Sequence, residues 1–132
     1  MNDISPRLYL ATPPLADAAA FAPALNEALA AGDVASLLIR FADADERGQE
    51  AIVRALAPAA QDKGVAVLVA AAPNVALRAG ADGVHVAGCG EDLADAIKKL
   101  SPRYIVGAGD IETRDDAMRA GELSADYVMF SD

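Results

Sequence analysis

Arg40, His85 and Asp110 are the side chains whose types and places suit them to handle a small charged molecule. Each falls near or just past the end of an apolar run of strand length, the end of a parallel α/β sheet where ligand sites gather. A guanidinium there can fork onto a phosphate or carboxylate. An imidazole can act as acid or base near neutral pH, and Asp110 can join Asp43, Glu91 and Asp92 in an acidic rim. Each has a plainer role as well. Arg40 can pair with the nearby Asp43 or Asp45, His85 has no evident carboxylate partner and such a lone histidine is more often structural, and Asp110 can cap a helix. Cys89 lies between Gly88 and Gly90 with nothing basic beside it to activate the thiol. No P-loop, GxGxxG, CxxC or HExxH pattern occurs.

The elements that must hold these groups repeat. Arg78-Ala79-Gly80-Ala81-Asp82-Gly83-Val84-His85-Val86 and Arg119-Ala120-Gly121 with Ser124-Ala125-Asp126-Tyr127-Val128-Met129-Phe130 share one plan: a basic helix end, a glycine stop, an Ala-Asp pair, then a strand. That plan marks the αβ joint of a repeating βα protein. Asp82 and Asp126 precede strands, at the end where such folds keep stability rather than chemistry. Six apolar runs, at 8–11, 34–39, 65–69, 83–86, 104–106 and 127–130, alternate with helical patterns. Most are apolar at consecutive positions, as expected of strands covered on both faces.

Helices are expected over 18–31, with Phe21, Leu25 and Leu29 on one stripe and Pro23 weakening its first turns, and over 46–63, with Ile52, Leu56 and Ala60 aligned before Gly64. Shorter ones are expected over 73–79 and 92–100, and a last one opened by the capping pattern Thr113-Arg114-Asp115-Asp116 and running to residue 120. Strand spacing falls from about 30 residues to about 20, compact for βα units.

The chain has 132 residues, 54% of them hydrophobic, which suits one domain over 1–132 with a real core. Its formal charge of −9 argues against nucleic acid or an anionic membrane as main partner. A small anionic ligand stays open, because the net field is screened within about 10 Å. The lone Cys89 excludes a disulfide framework, and the opening Met1-Asn2-Asp3-Ile4-Ser5-Pro6 has neither a basic nor an apolar leader segment, so a cytoplasmic location is expected.

Ala76-Leu77-Arg78-Ala79-Gly80-Ala81-Asp82-Gly83-Val84-His85-Val86 resembles the ALxxGADGVHLG segment of the thiamine phosphate synthase and TenI-like family. Leu8-Tyr9-Leu10-Ala11-Thr12, Leu38-Ile39-Arg40, Ile105-Val106-Gly107 and Ala125-Asp126-Tyr127-Val128 support the likeness. The resemblance implies a (β/α)₈ TIM-barrel fold, α/β with parallel repeats, of which this chain holds the first six units. It is thus expected to be incomplete at its C-terminus, a fragment of a longer product, an open sheet, or one of two chains that complete each other in a homo-oligomer.

The resemblance also implies a pyrimidine diphosphate held by a Gln-x-Arg-x-Lys pattern, Mg²⁺ held partly by an Asn-Asp pair, and a transferase of thiamine biosynthesis. Here those positions read Leu38, Arg40 and Ala42, then Ala70-Ala71, with Glu91 or Asp92 as the nearest substitutes for a further metal aspartate. The family's Ser-Thr-His stretch becomes Gly109-Asp110-Ile111. Alanine offers Mg²⁺ no hard oxygen, and departure of pyrophosphate needs several kcal/mol of charge neutralisation. The expectation is a degenerate member that binds a small phosphorylated or heterocyclic ligand through Arg40, His85 and Asp110, with weak or no catalysis and Mg²⁺ only if the family activity is retained. The alternatives are an active synthase with a longer chain and a non-catalytic assembly module working through open sheet edges.

Overall fold

The computed structural model describes residues 8–130. The opening residues read above for a leader lie outside that range. Within it, strands and helices alternate throughout: β1 (Leu8–Ala11), α1 (Ala22–Ala31), β2 (Val34–Ile39), α2 (Glu46–Gln61), β3 (Ala66–Val69), α3 (Pro73–Ala79), β4 (Gly83–Ala87), α4 (Glu91–Leu100), β5 (Ile105–Ile111), α5 (Arg114–Glu122) and β6 (Tyr127–Phe130). All neighbouring strands pair in parallel, and their order in the sheet is their order in the chain.

That order shapes the molecule. Right-handed crossovers that never reverse direction put every helix on one face of the sheet, so the other face is covered only if the sheet curls on itself. It does curl: Tyr9 of β1 and Tyr127 of β6 meet across the inside, hydroxyl to hydroxyl at 2.8 Å. The architecture is a half-barrel of the (β/α)₈ type. Leu37 and Ile39, Val67 and Val69, Val84, Val106 and Ala108 face the helices and join their buried residues in one core. Strand alternation turns Leu38, Leu68, His85, Gly107, Gly109 and Tyr127 to the inside. With Leu38 and Leu68 both buried there, the strands are apolar on both sides, which explains the unbroken runs.

The Ala-Asp pairs of the two joints act alike, but the expected glycine stop holds only at Gly80: Gly121 lies inside α5, which runs to Glu122, and Ser124 takes the left-handed φ of 73°. Asp82 accepts from the Val67 backbone N–H at 2.7 Å while its own N–H donates to the Val67 carbonyl. Asp126 does the same to Val106, its carboxylate accepting at 2.7 Å. Each carboxylate therefore gives a partner to a backbone N–H near the N-terminal end of a neighbouring strand. Gly80 takes the left-handed φ of 78° that ends α3.

Several boundaries differ from expectation. Helix α1 starts at Ala22, so Pro23 sits in its first turn, where a missing N–H is harmless, and does not kink an established helix. The preceding residues form a turn in which Asp17 accepts from the Ala20 N–H. Helix α2 stops at Gln61, α4 gains Glu91, and α5 continues to Glu122. The aligned Ile52, Leu56 and Ala60 are buried as the periodicity predicts, and Thr113 caps α5 by accepting from the Asp116 N–H at 3.1 Å. The largest difference is β5, which runs on through Gly107-Ala108-Gly109-Asp110 to Ile111.

Candidate functional site

A mouth forms where β1, β2, β4, β5 and β6 end. Arg40 follows β2 directly, and its backbone is held at both groups: its N–H donates to the buried Thr12 hydroxyl at 2.9 Å, and its carbonyl accepts from the Leu15 N–H at 2.9 Å. Thr12 donates in turn to the Pro13 carbonyl. The β1 exit thus fixes the point from which the guanidinium leaves, and the side chain itself is exposed. Asp45 is occupied as the N-cap of α2, accepting from the Gly48 N–H at 2.8 Å. Among the described residues neither Asp43 nor Asp45 pairs with Arg40.

His85 lies in the middle of β4, half-buried. Its partner is a phenol: Nδ1 lies 2.7 Å from the Tyr127 hydroxyl, and the two rings stack with centroids 5.8 Å apart. The opposite edge of the imidazole, with Nε2, covers Gly109, and the Tyr127 ring covers Gly107. A Cβ at either glycine would occupy ring space, which is why glycine stands at both inward positions of β5. Burial pushes the His85 pKa down from its ordinary value; Asp110 opposes that and Arg40 reinforces it.

Asp110 is part of β5 and not a residue following it, and it caps no helix, because Thr113 does that for α5. Its φ of 51° accompanies a break in the pairing between β5 and β6. Aspartate tolerates that left-handed conformation better than most residues. The bulge brings the carboxylate out to the mouth, exposed, where Arg40, His85 and Asp110 line one cavity of about 370 Å³ together with Ala11, Leu38, Ala70, Met129 and Phe130. The three residues singled out from sequence therefore meet.

The acidic rim is looser. Glu91 and Asp92 are exposed in the first turn of α4, where the positive end of the helix dipole favours them. Asp92 lines a second cavity of about 510 Å³ that His85 also lines, with Ala70, Ala71, Asp95 and Lys99. Cys89 lies 3.6 Å from an Asp116 carboxylate oxygen, and burial together with that charge pushes its thiol up, away from thiolate chemistry.

Residue-by-residue reading missed Thr12, Tyr9 and Tyr127. Tyr127 is separated from His85 by two βα units and Tyr9 from Tyr127 by five, so no local spacing links them. The glycines of β5 were the available signal, since inward glycine in a strand marks close approach of another group.

A parallel sheet curled with its helices outside, and a cavity at the C-terminal strand ends that carries Arg40, His85 and Asp110, define a barrel-type βα protein. Residues 8–132 match the family model for thiamine monophosphate synthase, and the chain belongs to that family. It is 43% identical over 124 residues to a thiamine-phosphate synthase of Rhodospirillum centenum, covering 94% of this chain and 60% of that protein. A thiamine-phosphate synthase of Hyphomonas neptunium is 41% identical over 129 residues, 94% of this chain and 58% of that one. A thiamine phosphate pyrophosphorylase structure from Pyrococcus furiosus superposes with a TM-score of 0.77 at 25% identity, covering 95% of this chain and 60% of that one. The chain thus spans about 60% of the length of these relatives.

Ala70 and Ala71 supply no side-chain oxygen, and among the described residues no three His, Cys, Asp or Glu side chains converge to hold a metal. Mg²⁺ takes hard oxygens in near-octahedral array, commonly one or two carboxylates with substrate phosphates and water completing the set.

Proposed function

We propose that the mouth binds a small phosphorylated or heterocyclic molecule, with Arg40 meeting the anion and His85 and Asp110 orienting it. The observation that carries this reading is the convergence of Arg40, His85 and Asp110 on one cavity, with no carboxylate among the described residues paired to the guanidinium. A fork-shaped cation beside a donor-bearing ring suits a phosphate better than an uncharged ligand. A cytoplasmic location belongs to the same reading; among the described residues no helix is long and apolar enough to cross a membrane.

Thermal unfolding with inorganic phosphate or thiamine phosphate tests it. Ligand at about 100 times its Kd adds roughly 2.7 kcal/mol of stability. Arg40→Ala removes that gain while leaving the unliganded transition in place. Absence of a shift with both compounds sinks the reading.

The relatives' names favour a second reading of the same mouth, as part of a thiamine-phosphate synthase. With alanine at residues 70 and 71, Mg²⁺ in this reading would rest on fewer side-chain oxygens and more on the phosphates of the substrate. Mg²⁺-dependent formation of thiamine phosphate, lost in Arg40→Ala, would establish it in place of a binder with weak or no catalysis, and the mass of the native protein would say what length of chain carries it.

A further inference from the structure

Tyr9, Tyr127 and His85 come from the first, sixth and fourth strands and form a continuous hydrogen-bonded line inside the half-barrel. The spacings are 2.8 Å between the phenol oxygens and 2.7 Å from Tyr127 to Nδ1. Tyr9 and Tyr127 also pack edge to face with centroids 5.7 Å apart. Two hydrogen bonds joining three neutral groups can run in line in two directions, while a third order, with Tyr9 and Nδ1–H both donating to Tyr127, leaves the Tyr127 proton unused. In one, Tyr9 donates to Tyr127, Tyr127 donates to Nδ1, and the ring keeps its proton on Nε2. In the other, Nδ1–H donates to Tyr127 and Tyr127 donates to Tyr9, which leaves Nε2 as a bare acceptor.

Chemistry selects between them. A phenol, with a pKa of about 10, is a far stronger acid than the N–H of neutral imidazole, and imidazole nitrogen is a far stronger base than phenol oxygen. O–H···N is therefore the stronger bond. The reverse order would also strand the Tyr9 hydroxyl proton, since among the described residues Tyr127 is the one hydrogen-bond partner of that hydroxyl.

We infer that Tyr127, itself oriented by Tyr9, is a positioning residue that locks His85 as the Nε2–H tautomer, so that the imidazole offers the mouth a hydrogen-bond donor and not a base. Gly107 and Gly109 make the lock fit, because they leave room for the Tyr127 and His85 rings to stack at the right height. Burial keeps His85 neutral and both phenols protonated around pH 7, so the line holds its three protons there. A donor on Nε2 beside Arg40 suits phosphate oxygens, and this use of the tautomer, though not the tautomer itself, rests on the binding reading above.

The chain has one histidine, so imidazole nitrogen resonances of the isotope-labelled 132-residue protein report this ring alone. At about pH 8, above the ordinary His range, the expected spectrum has the protonated nitrogen at Nε2 and the bare, downfield nitrogen at Nδ1, as a single species. Tyr127→Phe should replace that single species by the mixture typical of free imidazole. Tyr9→Phe should leave the tautomer as it is, because Tyr127 can still donate. A proton found on Nδ1 in the unmodified chain overturns the inference without needing any variant to fold, as does an unchanged tautomer in a folded Tyr127→Phe. A tautomer flip in Tyr9→Phe would overturn it too, by showing that Tyr127 had been donating to Tyr9. Adding inorganic phosphate should move the Nε2 resonance; a locked tautomer that phosphate leaves unmoved upholds the lock and overturns the binding reading alone.

Discussion

His85 shows how one side chain ties stability to pH. Its folded pKa is depressed, chiefly by burial, with Arg40 adding to the effect and Asp110 working against it. The other groups around it are Tyr127 and, across the second cavity, Asp92, Asp95 and Lys99. The unfolded chain therefore takes up the His85 proton first as pH falls from about 6.5, so it binds more protons than the folded one and stability declines. Stability from this residue is complete above the unfolded pKa and is lost as pH falls through the folded value. Urea unfolding followed from about pH 7.5 to pH 5 should show this decline. His85→Gln should remove it, and a slope unchanged in that variant would mean that other groups carry it.

At the scale of elements, β5 is where local sequence and structure part. Gly107, Gly109 and Asp110 are poor strand formers, and by propensity the segment past Val106 is a loop. It is a strand because β4 pairs with it as far as Ala87↔Gly109, and because the rings on β4 and β6 need its missing side chains. Gly109→Ala should lower stability by about 1–3 kcal/mol, the usual range for overpacking, as the new methyl displaces the imidazole. A lower urea midpoint together with shifted His85 resonances is the expected result; an unchanged midpoint would show that β5 does not support the ring. By contrast, the αβ joints were legible because they are local. A helix stop and an Ala-Asp pair lie within a few residues of the strand they introduce, and the carboxylate reaches only to the strand beside it.

Across the whole molecule, the contact between Tyr9 and Tyr127 links the first and last strands and closes the inside of the curled sheet. Removing the two hydroxyls singly and together in a double-mutant cycle should give a coupling of about 0.5–1.5 kcal/mol, the usual worth of a hydrogen bond of this kind. Additive effects would mean that the outer strands do not meet. The amino-acid sequence by itself determined the alternation of strands and helices, the parallel sheet and the family, because hydrophobic period, glycine stops and the Ala-Asp joints act over short stretches of chain. It also pointed to Arg40, His85 and Asp110, since each falls near or just past the end of an apolar run that could be read locally. Only the tertiary structure decided that they share a cavity, that a phenol and not a carboxylate holds the imidazole, and that β5 continues through its glycines. Those outcomes depend on the curl of the sheet, which sums the twist of every strand and brings together residues that no local spacing relates.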